Sequence, residues 1–116
     1  RTSSLERLLH SFVRTYAAGA VDLLVAPSAD AVPQWGATCH SLRGACATVG
    51  ATGLEQDLGG FERQLGAASG AQQLGEWARR AQALHAELLA LVDQLRRALD
   101  PATAGAGAPP ARATRA

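Results

Sequence analysis

Cysteine and aromatic residues are scarce in this sequence, and methionine is absent. The two cysteines, Cys39 and Cys46, lie seven positions apart in one predicted helix. A rise of about 1.5 Å per residue separates them by roughly 10 Å, which excludes a disulfide between them. Neither belongs to a Cys-x-x-Cys pair, so the pattern does not favour a zinc site. Both cysteines are better interpreted as small residues that fill the core. Unpaired thiols fit a reducing compartment, and we expect the cytoplasm.

Long apolar runs and concentrated charge are missing as well. No segment approaches the roughly 20 apolar residues of a membrane-spanning helix, and no basic and apolar leader opens the chain, so we expect no membrane insertion by this segment. The net charge is +1, and the 11 basic residues, all arginine, are scattered, which gives no nucleic-acid footprint. The missing methionine predicts that the chain is a segment of a longer polypeptide.

The 116 residues are 47% hydrophobic and rich in alanine, leucine and glycine, which is typical of closely packed helices. Apolar residues recur at helical spacing in four segments. The first helix is predicted over residues 5–26, with Ser3 or Ser4 as its N-cap. The second is predicted over residues 31–49, with Asp30 as its N-cap.

The third predicted helix resumes the apolar pattern at Leu54, after two glycines, and ends near residues 66–70. The fourth covers residues 74–99 and ends before a proline. The sequence therefore predicts an all-α domain over residues 1–100, a monomeric antiparallel four-helix bundle with up-down-up-down topology. Residues 101–116, rich in Ala, Gly and Pro, are expected to form a flexible tail or linker.

The second predicted helix carries a histidine on a face of small residues. At about 100° per residue, His40 lies opposite the apolar side of this helix. Glycine inside a helix costs about 1 kcal/mol relative to alanine, so glycines at i−4 and i+4 indicate that another molecule approaches closely. The alternative, tight helix packing, is weakened because these glycines face away from the apolar side. The small residues on the His40 side are Gly36, Ala37, Gly44, Ala47 and Ala51.

Imidazole is suited to carrying a phosphoryl group, because an ordinary pKa of about 6.5 leaves much of it neutral and nucleophilic at cytoplasmic pH. Arg43 lies one helical turn from His40, where its N–H donors can hold phosphoryl oxygens as charge develops. The alternative for Arg43 is an ordinary solvated surface residue.

The segment from His40 to Ala51 reads His-Ser-Leu-Arg-Gly-Ala-Cys-Ala-Thr-Val-Gly-Ala, and it is followed by Leu54 and by Phe61-Glu62. This pattern resembles the signature of histidine-containing phosphotransfer (Hpt) domains. That signature reads approximately H-S-L-K-G-S-A-A-x-L-G-A, then Leu, then Leu-Glu at the same spacings. The sequence departs from it at Arg43 and Phe61, where Lys and Leu are more usual.

The resemblance implies that His40 is the phosphorylated residue and that Gly44 admits a receiver domain. Arg43 takes the place of the usual lysine beside the phosphoryl group. Glu62 falls where the family often has a polar residue that hydrogen-bonds the imidazole and fixes its tautomer. A surface carboxylate is an equally open interpretation of Glu62.

The implied function is a step in a two-component phosphorelay, in which His40 accepts a phosphoryl group from a receiver-domain aspartate and passes it to a response-regulator aspartate. The expected partners are receiver domains of a hybrid sensor histidine kinase and of a response regulator. No phosphate-binding P-loop or glycine-rich ATP lid is present, so we expect no kinase activity of its own. No cofactor is expected in this chain, since any Mg²⁺ belongs to the receiver.

Three alternatives remain for comparison. A helical interaction module would use the small-residue face without chemistry. A histidine-kinase dimerisation domain typically has an acidic residue directly after the histidine, where this chain has Ser41. A metal site of His40 with the cysteines is disfavoured, because the thiols lie about 100° or more away around the helix. His10 and His85 are predicted at surface or boundary positions, and Gly59-Gly60 has no explanation beyond close helix approach.

Overall fold

The structure is a computed structural model that describes residues 3–67 and 73–100. Within these ranges there is no β-strand, which confirms the predicted all-α fold. The predicted tail at 101–116 lies outside the described residues. A short 3₁₀ helix follows the first of the four α-helices, so the order is α1 (Ser4–Thr15), 3₁₀ (Val21–Leu24), α2 (Ala31–Val49), α3 (Thr52–Ala67) and α4 (Leu74–Leu99).

The predicted length of the first helix is wrong. α1 begins at a capping box, in which the Ser3 hydroxyl accepts from the Glu6 N–H at 3.1 Å and the Glu6 carboxylate accepts from the Ser3 N–H at 3.0 Å. It ends at Thr15, and the chain turns at Gly19, whose φ of +83° is open to glycine. The 3₁₀ helix then buries Leu23 completely. Because that leucine still reaches the core, the apolar spacing continues across the break and conceals it.

The turn at Gly19 packs against α4. A Cβ built on Gly19 would overlap the imidazole of His85. His85 is only 8% exposed, and its Nε2 has no hydrogen-bond partner among the described residues. The predicted surface or boundary position of His85 is therefore wrong, since this residue shares the buried side of α4 with Leu88 and Val92. His10 is exposed, as predicted.

α2 has the predicted bounds but a different N-terminal cap. Asp30 makes no side-chain cap hydrogen bond, because its backbone already has helical angles, with φ of −71° and ψ of −23°. The hydroxyl of Ser28 instead accepts from the Ala31 N–H at 3.3 Å. At the other end Gly50 has a φ of +77°, a left-handed cap that stops the helix.

α2 and α3 pack most extensively on each other, while α4 contacts α1, α3 and the 3₁₀ helix. The rings of Trp35 and Phe61 meet at the centre of this core, with centroids 6.2 Å apart. Cys39 and Cys46 are fully buried and unpaired, which confirms them as core fillers. The α2–α3 contact fixes the position of the histidine described next.

Candidate functional site

His40 projects from the middle of α2 away from the core. Its neighbours Cys39 and Leu42 are buried, whereas the His40 side chain is 70% exposed. This contrast follows from the helical period, because the buried residues of α2 fall on one side of the helix. The imidazole is therefore open to solvent, as the sequence predicts.

Two side chains converge on Nδ1 of His40. A carboxylate oxygen of Glu62, on α3, is 3.3 Å from this nitrogen, and Nη2 of Arg43 is also 3.3 Å from it. The Nε–H of Arg43 donates to the other carboxylate oxygen of Glu62 at 3.0 Å. The structure thus brings together the three residues that the sequence singles out for chemistry.

The tautomer of His40 decides whether this site contains a nucleophile. Nδ1 can donate to Glu62 when it carries the proton, or accept from Arg43 when it does not. In the first case Nε2 keeps its lone pair, and it has no hydrogen-bond partner within the described part of the chain. In the second case Nε2 carries the proton and cannot attack an electrophile. A carboxylate at Nδ1 favours the nucleophilic tautomer.

The electrostatics of the site depend on its partial burial. The side chains of Arg43 and Glu62 are 38% and 27% exposed, so their charge-assisted hydrogen bond is less screened by water than a fully exposed ion pair. Glu62 holds the guanidinium beside the imidazole. The remaining N–H donors of Arg43 can then bind an anionic group attached to His40.

The surface around His40 consists of small residues. A Cβ built on Gly36 or Gly44 would meet no atom within 4 Å, so packing inside the described structure does not require glycine at either position. Ala37 and Ala47 are exposed beside them. We call these four residues the small-residue patch.

Ala51 does not belong to the small-residue patch. α2 ends at Val49, and the left-handed Gly50 redirects the chain before Ala51. Ala51 instead lines a cavity together with Leu91 and other residues of α4. Its predicted position beside His40 requires α2 to continue by two more residues, which the cap at Gly50 prevents.

Sequence reasoning missed Gly59 as a neighbour of the site. Gly59 is buried in α3, and a Cβ built on it would lie 3.4 Å from Cδ of Arg43. Its spacing of three from Glu62 places both residues on the α2-facing side of α3, which is the signal that could have identified it.

A cavity of about 260 Å³ continues from this point, lined by Arg43, Thr52, Glu55, Gln56, Gly59 and Arg63. The residues placed by the structure include no group of three or more His, Cys, Asp or Glu that could hold a metal ion. None of the described helices is both long enough and apolar enough to cross a membrane.

No protein-family model matches the chain, and neither a curated protein nor a solved structure matches it. The geometry around His40 and the pattern of residues 40–62 are therefore the features that point to a function.

Proposed function

We propose that this chain is a histidine phosphotransfer domain of a two-component phosphorelay. His40 accepts a phosphoryl group from the aspartyl phosphate of one receiver domain and passes it to the aspartate of another. The observation that carries this proposal is the His40 imidazole itself. It is 70% exposed, held at Nδ1 by Glu62, and adjoined by a patch of small residues.

The transfer step needs only the groups of this site and of the receiver domains. The Nε2 lone pair of His40 attacks phosphorus, an N–P bond forms, and the P–O bond to the donor aspartate breaks to release a carboxylate. The proton stays on Nδ1, where Glu62 stabilises the positive charge that develops on the ring. Arg43, one helical turn from His40, has N–H donors that can bind phosphoryl oxygens during the transfer. The acceptor aspartate reverses the same step, and any Mg²⁺ is supplied by the receiver.

The fold supports an antiparallel arrangement of the helices. Only residues 50 and 51 separate α2 from α3, a connection too short for anything but an antiparallel turn between two packed helices. We propose that the four helices form an up-down-up-down bundle that acts as a monomer. The buried, unpaired thiols favour the cytoplasm, and we place the domain within a hybrid sensor kinase that supplies one of its receivers.

A helical interaction module without chemistry is the second candidate. Exposed leucines on α1, 56% exposed at Leu5 and 43% at Leu8, would suit a docking face. This alternative leaves the contacts of His40 with Glu62 and Arg43 without a purpose. Phosphotransfer uses all three residues, so we favour it.

Incubation of the chain with phosphorylated receiver domains tests the proposal. We expect at least one of the receiver domains tested to transfer acid-labile phosphate to this chain. His40→Gln should abolish the transfer. His10→Gln is the matched control, because it removes an exposed histidine of α1 outside the site and should leave transfer unchanged. Absence of label with every receiver, or equal label on His40→Gln, would contradict the proposal.

A further inference from the structure

Gly59 occupies an unusual position, buried inside α3 where α3 packs on α2. Glycine is a less favourable residue than alanine in the interior of a helix. The backbone of Gly59 has no positive φ that would require glycine. The surroundings of Gly59 then determine how large a side chain this position accepts.

Two arginine side chains border Gly59, the stem of Arg43 from α2 and the end of Arg63 from α3. A Cβ built on Gly59 would lie 3.4 Å from Cδ and 4.0 Å from Nε of Arg43, and 3.5 Å from the flexible end of Arg63 at Nη1. The Nε–H of the same arginine donates to Glu62, three residues further along α3. The arginine side chain thus lies over bare backbone at Gly59 on its way to the carboxylate.

We propose that Gly59 is a positioning residue for phosphotransfer. Its small size leaves free the path along which Arg43 reaches Glu62 and His40. A larger residue at 59 would displace the stem of Arg43 and break its bond to Glu62. This inference rests on the proposed function of His40 for its kinetic consequence, but its structural part can be measured separately.

Gly60 provides a matched control. A Cβ built on Gly60 would meet only the flexible ends of Arg80, at 3.6 Å, and Arg63, at 3.8 Å. Gly60→Val adds the same atoms to α3 as Gly59→Val does, but they do not contact Arg43. Size gives a second comparison, because alanine at 59 is accommodated at 3.4 Å, whereas the two methyl groups of valine extend into the stem.

The first measurement is the exchange of the Arg43 Nε–H with water, followed by NMR, which needs no phosphotransfer. The bond to Glu62 protects this group in the parent protein. We expect Gly59→Val to accelerate exchange by about tenfold, the loss of one charge-assisted hydrogen bond, and Gly59→Ala and Gly60→Val to leave it near the parent value. Unchanged exchange in Gly59→Val would overturn the inference.

The second measurement is a double-mutant cycle on the rate of phosphoryl transfer. Gly59→Val should lower the rate by about tenfold when Arg43 is present and should have no further effect in Arg43→Ala. A merely structural role would lower the rate equally in both backgrounds, and that outcome would overturn the inference.

Two controls keep the test decisive. If Gly59→Val does not fold by itself, recovery of the fold in Gly59→Val/Arg43→Ala supports the inference, because the obstructing stem is then gone. Failure to fold in both backgrounds contradicts it. If no receiver phosphorylates His40, the proposed function fails, while the exchange of the Arg43 Nε–H still decides the role of Gly59.

Discussion

Gly44→Ala should stabilise the free domain, although it changes the surface beside the proposed phosphoacceptor. Gly44 is exposed in the interior of α2, and an added Cβ meets no atom within 4 Å. Alanine loses less backbone entropy than glycine on folding and here displaces nothing. The free energy of unfolding should therefore rise by about 0.5–1 kcal/mol. For a domain of this size the Tm should rise by about 3–6 °C.

Urea unfolding followed by circular dichroism measures this change, with Gly50→Ala as the matched control. A Cβ on Gly50 also meets nothing within 4 Å, but its φ of +77° is unfavourable for alanine. That substitution should lower the free energy of unfolding by about 1–2 kcal/mol. Replacement of glycine by alanine is thus expected to raise the free energy of unfolding at Gly44 and to lower it at Gly50, because the two positions differ in backbone conformation.

A larger residue at position 44 separates stability from function. Gly44→Leu should fold as well as Gly44→Ala, since leucine is also a good helix former, but its side chain would stand one turn from His40 and obstruct a receiver. We expect a stable domain with slower phosphoryl transfer. Destabilisation by Gly44→Ala would show that the position is packed, and parent-like transfer by Gly44→Leu would refute the small-residue patch as the path of approach.

Three further predictions concern other parts of the fold. Gly19→Ala should lower the free energy of unfolding by about 2–4 kcal/mol, because the backbone at this position is left-handed and the new Cβ overlaps the ring of His85. Urea unfolding should show a smaller loss when Gly19→Ala is made in the His85→Ala background, where the ring is gone. Burial raises the pKa of the Cys39 thiol to about 12 and that of Cys46 to about 11. Iodoacetamide should therefore label neither thiol in the folded protein at about pH 8 but both in urea, and rapid labelling of the folded protein would contradict this burial. Partial burial raises the pKa of Glu87 above its ordinary value of 4.5, so the folded state binds this proton more tightly than the unfolded chain. The free energy of unfolding therefore falls as the pH rises from the pKa of the unfolded chain through the higher pKa of the folded state. Glu87→Gln should accordingly raise the free energy of unfolding at about pH 7 and have less effect at about pH 4, and an equal effect at both values would contradict this linkage.

Hydrophobic periodicity predicts the helices that end at a strong local signal. The bounds of α2 and α4 follow from uninterrupted apolar stripes, and Gly50 stops α2 with the left-handed conformation that glycine favours. The first helix is mispredicted because the break at Gly19 preserves the apolar spacing. Where a turn keeps its leucine in the core, periodicity alone cannot detect it.

Some contacts of the candidate site can be predicted from one helix alone, whereas others depend on how the helices pack. His40 and Arg43 share one helix, so a helical projection is sufficient to place them together. The contact with Glu62 requires α3 to pack at one particular register on α2, which the sequence suggests only through its resemblance to a known pattern. The burial of His85 depends on Gly19, a neighbour distant in the chain, and no local signal reveals that contact.

The atom that carries the phosphoryl group after transfer shows whether His40 is the phosphoacceptor. A phosphorus–proton NMR correlation on the chain at neutral pH, after reaction with a phosphorylated receiver, identifies the atom that is modified. We predict a single N–P bond at Nε2 of His40, the nitrogen that Glu62 leaves free. A phosphoryl group on Nδ1, on another residue or nowhere in the chain would contradict it.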